Sequence, residues 1–127
     1  MQQILNPNYQ PGDVVITEFP YSEGRGAKLR PVLVVSRPEL PSCANTVIVL
    51  EITSSPRATC ETDVAIIEWE AAGLEKPSIV RCFPATVHVR RIQRKIGALT
   101  LQDWQEVCEA MRRAIACFQS NGTLSPP

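Results

Sequence analysis

Between Gly12 and Ala98 the chain carries several runs of β-branched and aromatic residues, and no stretch of helical period separates one run from the next. Parallel neighbours need a crossover of about a dozen residues, usually helical, so a chain without such crossovers is driven to antiparallel pairing. The expected fold is therefore mainly β, a small twisted barrel of five or six strands with one C-terminal helix. At its centre stands the segment 28–36, KLRPVLVVS, whose Val32, Leu33, Val34, Val35 and Ser36 form a nearly continuous strand-forming run. Arg30 is expected at the mouth of that strand, behind the charged loop 22–27 (SEGRGA). Pro31 forces an extended backbone on Arg30 and fixes its own φ. A cation mounted this stiffly suits a phosphate, and it equally suits an ordinary strand start.

In chain order, residues 1–11 read as an irregular lead-in, 12–119 as a single domain and 120–127 as a flexible tail. Strands are expected over 14–19, 32–36, 46–53, 62–69 and 78–82. Residues 85–98 mix a short apolar alternation with Arg90, Arg91, Arg94 and Lys95, a pattern of strand, one helical turn and a last short strand. Thr53, Ser54 and Ser55 place hydroxyls at a strand end, where they either cap their own turn or present donors to an anion. The clearest period belongs to Leu101, Trp104, Val107, Cys108, Met111, Ile115 and Phe118, a single apolar stripe on a helix. Thr100 is its N-cap and Asp103 a shortened capping-box carboxylate. Asn121-Gly122 is expected to end the ordered chain.

A length of 127 residues leaves room for one core. Zero net charge argues against a general nucleic-acid glue. Charge is nevertheless segregated: residues 61–75 hold five acids and no base, and residues 77–102 hold five bases and no acid. That distribution predicts an acidic face and a basic face. Five cysteines without a CxxC pair point to a reduced, cytoplasmic setting. No apolar run approaches the ~20 residues that span a bilayer, so no membrane association is expected. His88, the single histidine, has no cluster of ligands around it, so neither a metal nor a cofactor is expected, and His88 itself reads as a packed or surface residue.

The order of four motifs is more specific than any of these patterns. GDVVITEFPYSEGRGAKLRPVLVVS (12–36), VLEITSS (49–55), KPSIVRC (76–82) and RKIGALT (94–100), followed by a terminal helix, resembles the PemK/MazF toxins, endoribonucleases of type II toxin-antitoxin pairs. The resemblance implies an SH3-like small barrel, usually a homodimer, that acts as an mRNA interferase on single-stranded RNA at short motifs. It also implies a cognate antitoxin that silences the toxin and, in complex with it, can bind DNA. By matching motif, Arg30 falls at the family's catalytic arginine and Thr53 at its catalytic hydroxyl, while Arg81 matches a further basic position. Where PemK-type members commonly carry an acid just after that arginine and cysteine, this chain has Phe83 and Pro84. Glu23 is then the nearest candidate in sequence for a base, and Arg25, Lys28, Ser54, Phe83, Arg90, Arg91, Arg94 and Lys95 are expected to line the RNA. The chemistry implied is attack by the neighbouring 2′-hydroxyl without a metal, giving 2′,3′-cyclic phosphate and 5′-hydroxyl ends. The second reading is a non-catalytic member of the same barrel, acting as a binding protein or a gyrase-inhibitor-type toxin.

Overall fold

The computed structural model describes residues 9–20, 27–37, 45–55 and 59–115. Its elements are β1 (Asp13–Pro20), β2 (Ala27–Val34), β3 (Thr46–Thr53), β4 (Val64–Ala65), β5 (Ile79–His88), a 3₁₀ turn (Val89–Arg91), β6 (Ile92–Ala98) and α1 (Leu101–Ala114). Every strand pair is antiparallel, in the order β4-β5-β3-β2-β1-β6. β5 and β6 stand four places apart in that order, which in a flat sheet is roughly 19 Å. The 3₁₀ turn that joins them reaches only about 6 Å. The sheet must therefore curl until its two sides meet, which makes it barrel-like. The turn is held at both ends: Val89 N donates to Asn45 O at 2.9 Å, extending the β3–β5 pairing, and Thr17 Oγ1 donates to Arg91 O at 3.0 Å, beside the β1–β6 pairing.

Alternation divides the apolar residues between two cores. Val15, Val32, Val34, Val47, Val49, Val87 and Ile92 cluster on one face with Tyr9, so part of the expected lead-in is buried. Burial pushes the Tyr9 phenol above its ordinary value, and Asp13 adds to the rise. On the other face Val14, Leu33, Leu50, Ile52 and Val80 pack beneath Val107 and Ala110 of α1.

Several expected boundaries move. β2 begins at Ala27 because β1 pairs with it down to Pro20–Ala27, so Arg30 lies inside the strand opposite Thr17 and not at its mouth. The strand expected over 62–69 shrinks to Val64–Ala65: Ile66 N still donates to Ser78 O at 3.0 Å beside β5, but the donors after it turn away from the sheet. Ile67 N and Glu68 N donate to the two carboxylate oxygens of Asp103, at 3.1 and 2.9 Å. Asp103 therefore clamps a distant turn rather than closing a capping box, although Thr100 Oγ1 does accept from Asp103 N at 3.3 Å. β5 runs on from 82 to 88, past Pro84, because a register irregularity between Leu50 and Glu51 takes up the misfit. In α1 the buried positions are Asp103, Val107 and Ala110, while Leu101 and Ile115 at the ends of the expected stripe are exposed. Phe118, the Asn121-Gly122 stop and the tail lie outside the described residues.

The turn at 72–73 touches β6 backbone to backbone. Gly73 has φ +83°, and a Cβ on it would overlap the Ile96 carbonyl, while a Cβ on Gly97 would overlap that of Ala72. Gly97→Ala is expected to cost about 2 kcal/mol or more, read from a denaturant midpoint. Gly73→Ala should cost more, since strain adds to overlap, and the double variant less than the sum because both break one contact.

Candidate functional site

Antiparallel register sets the candidate residues in rows across one face of the sheet, the face of Val32 and Val49. Glu51 of β3 lies between Val32 of β2 and Arg81 of β5. In the next row Thr53 pairs with Ile79, and Arg30 pairs with Thr17 of β1. Pairing between β2 and β3 stops at Val32–Glu51. Pro31, the next residue, has no N–H to carry the ladder on. Counting the register two residues further places Arg30 opposite Thr53, so the two flank the point where β2 and β3 part. Arg30 and Thr53 are both half-buried.

Thr53 Oγ1 accepts from Ser55 N at 3.2 Å, the capping alternative for this hydroxyl. That bond uses a lone pair and leaves the hydroxyl proton able to donate. Ser54 is exposed beside it.

Arg81 is fixed by a residue with no prior claim to the site. Its Nε and Nη2 donate to the two oxygens of Asp63, each at 3.2 Å, and the ion pair is only 13% and 9% exposed. Asp63 Oδ2 also accepts from Cys60 N at 2.8 Å, which ties the arginine to the turn before β4. The Asp63 hydrogen bond raises the guanidinium pKa further, against the opposing effect of burial. Arg81 is thus a permanent charge and not a base. Its guanidinium lies 5.5 Å from the centroid of the half-exposed Phe83 ring, so the two form one platform of charge and aromatic face. Behind them Cys82 is buried and its thiol donates to Thr62 O at 3.6 Å; burial pushes that thiol up.

The other basic residues divide. Arg91 joins the site's margin through its carbonyl on Thr17, and its guanidinium pairs with Glu18 at 3.5 Å on the exposed surface. Lys28 and Arg90 are exposed, with no ion pair among the described residues. His88 Nδ1 accepts from Arg90 N at 3.1 Å, a capping role. Lys95 is drawn to the far end of β1, where it pairs with Asp13 at 3.1 Å. Arg94 is registered with Ile16, on the opposite side of β1 from Thr17. The structure therefore gathers Arg30, Thr53, Arg81 and Phe83, and does not bring Arg94 or Lys95 to them. Glu23 and Arg25 lie outside the described residues.

Two carboxylates were missed from sequence, Asp63 and Glu51. Asp63 lies 18 residues from Arg81, and only the β4–β5 pairing reveals it. Glu51 sits inside a β-branched run, where the alternation of TVIVLEIT marks its side but not its neighbours. Among the described residues no three His, Cys, Asp or Glu side chains cluster closely enough to hold a metal, and no helix is long and apolar enough to cross a membrane.

Comparison with known proteins agrees with this architecture. No curated protein sequence matches the chain. Among solved structures, Mycobacterium tuberculosis toxin MazF-mt6 is similar at 28% identity and TM-score 0.64, covering 80% of this chain and 94% of that one. An Mtb toxin is 31% identical with TM-score 0.58, covering 68% and 92%. An endoribonuclease in complex with its cognate antitoxin, from a Mycobacterial species, shares the fold at 20% identity, TM-score 0.65, covering 84% and 93%. The model of the PemK-like, MazF-like toxins of type II toxin-antitoxin systems matches residues 10–115, from just before β1 to the end of α1, and the chain belongs to that family.

Proposed function

We propose that this chain is a toxin endoribonuclease that cuts single-stranded RNA at short sequences by 2′-hydroxyl attack. The observation that carries the reading is the placement of Arg30 and Thr53 on either side of the split between β2 and β3, with Arg81 and Phe83 on the same face. Its support in family is the similarity to MazF-mt6 and to an endoribonuclease bound to its antitoxin. Arg30 stabilises the extra negative charge that builds on the non-bridging oxygens as phosphorus becomes five-coordinate. Thr53 donates to one of those oxygens, Arg81 adds fixed positive charge, and Phe83 offers a ring on which a base stacks. The toxin works as a cytoplasmic homodimer, and an acidic segment of a cognate antitoxin competes with RNA for the same positive face.

The test is product analysis on an unstructured RNA incubated with purified protein in chelator. Cleavage should persist, leave 2′,3′-cyclic phosphate and 5′-hydroxyl ends, and fail when the nucleotide before the cut is 2′-deoxy. Ends bearing 5′-phosphate, or cleavage of the deoxy substrate, would remove 2′-hydroxyl attack from the account.

A further inference from the structure

We infer that Glu51 is the general base that takes the 2′-hydroxyl proton, an assignment that rests on the ribonuclease reading above. The reaction needs a proton acceptor near Arg30 and Thr53, and the described acids of this region are few. Asp63 is occupied by Arg81 and Cys60 N. Glu18 pairs with Arg91 on the alternate side of β1. Glu51 is two residues from Thr53 on the same face, directly across from Arg81, and diagonal to Arg30 by the β2–β3 register. Diagonal neighbours lie about 7–8 Å apart at Cα, within reach of a glutamate and an arginine converging on one ligand.

The state of the Glu51 carboxylate distinguishes it from a structural acid. It is half-buried and interacts electrostatically with Arg81, yet it accepts no hydrogen bond and forms no ion pair among the described residues. A half-buried carboxylate held for stability would be paired, as Asp63 is. One left with open lone pairs between two arginines is available to a proton from substrate. The charged groups facing it are Arg81 from β5, Arg30 from β2 and, across Arg81, Asp63. The step balances simply. The O2′–H bond breaks with its proton going to Glu51, O2′ bonds to phosphorus, and the P–O5′ bond breaks with its electron pair on O5′. Solvent protonates O5′, and Glu51 returns its proton to solvent.

Glu51→Gln keeps the shape and removes the acceptor. Its kcat should fall by about 10²–10⁴. Affinity for an RNA with a 2′-deoxy nucleotide at the cut should be unchanged or tighter, because the substitution removes a negative charge near phosphate. The fall in kcat/KM on the acid side of the wild-type pH profile should vanish in this variant. Glu51→Asp should recover part of the rate, and formate should restore turnover to Glu51→Ala, a response that a purely structural role would not give. Wild-type rates in Glu51→Gln, or an acid-side fall that survives in it, overturn the assignment while leaving the ribonuclease reading intact. A wild-type protein that cuts no RNA overturns both.

Discussion

Arg30→Ala should abolish RNA cleavage while leaving the melting curve close to that of the wild type. The substitution keeps the backbone pairing of Arg30 with Thr17 of β1, and the residue lies beyond the last pair of the β2–β3 ladder, so the strand pairing is left in place. Removing a preorganised cation that faces a more negative transition state costs on the order of 10³ or more in rate. Arg30→Lys should recover only a minor part, since an ammonium keeps the charge but loses the planar fork that grips two phosphate oxygens. Thr53→Ala should cost on the order of 10², the worth of one transition-state hydrogen bond. Single-turnover rates on a short RNA give all three values. Full activity in Arg30→Ala would remove Arg30 from the chemistry and leave the charge on the phosphorane to another group.

Asp103→Ala should be the most damaging single change to the fold outside the core hydrophobes. Asp103 is 1% exposed, and its carboxylate accepts two backbone N–H groups from the turn that replaces the expected fourth strand. Truncation loses two charge-assisted bonds and leaves both donors to find partners. The cost should be about 3 kcal/mol, or roughly 10 °C in Tm for a domain of this size. Asp103→Asn should fall between, because its amide oxygen satisfies one donor while its NH₂ opposes the other. A thermal melt of the two variants beside the wild type decides it, and an unchanged Tm in Asp103→Ala would mean that water serves the turn equally well.

What the sequence made legible follows from the range of the forces involved. β1, β3 and the body of α1 are local statements: alternation, branched runs and a 3.6 period state which residues are inside. The joint between β5 and β6 was legible as strand, turn and strand because His88, Arg90 and Arg91 break one alternation before Ile92 begins another. β4 was not, since its end is decided by Asp103, 36 residues further on. Nor was the continuation of β5, because Pro84 reads as a stop unless the bulge opposite Leu50 is known. At the site, Arg30 and Thr53 were named by motif, and their opposition across the split needs the register. The bond from Arg81 to Asp63 changes the meaning of the acid-free segment, since its most buried cation takes a partner from the acidic one.

The three-residue joint that closes the barrel also sets the order in which the protein can become itself. β1 is the first strand made and β6 the last, and Asp13 pairs with Ala98. Contacts so distant in the chain make folding slow, because much of the chain's freedom is surrendered before they form. A nascent or truncated chain that stops before Arg91 already contains Arg30, Glu51, Thr53 and Arg81, but the outer edge of β1 is unpaired and Thr17 lacks the carbonyl that anchors it. Such a chain is an open sheet, inviting a foreign strand at that edge. An unfinished copy therefore carries these residues on a sheet whose β1 edge is still open.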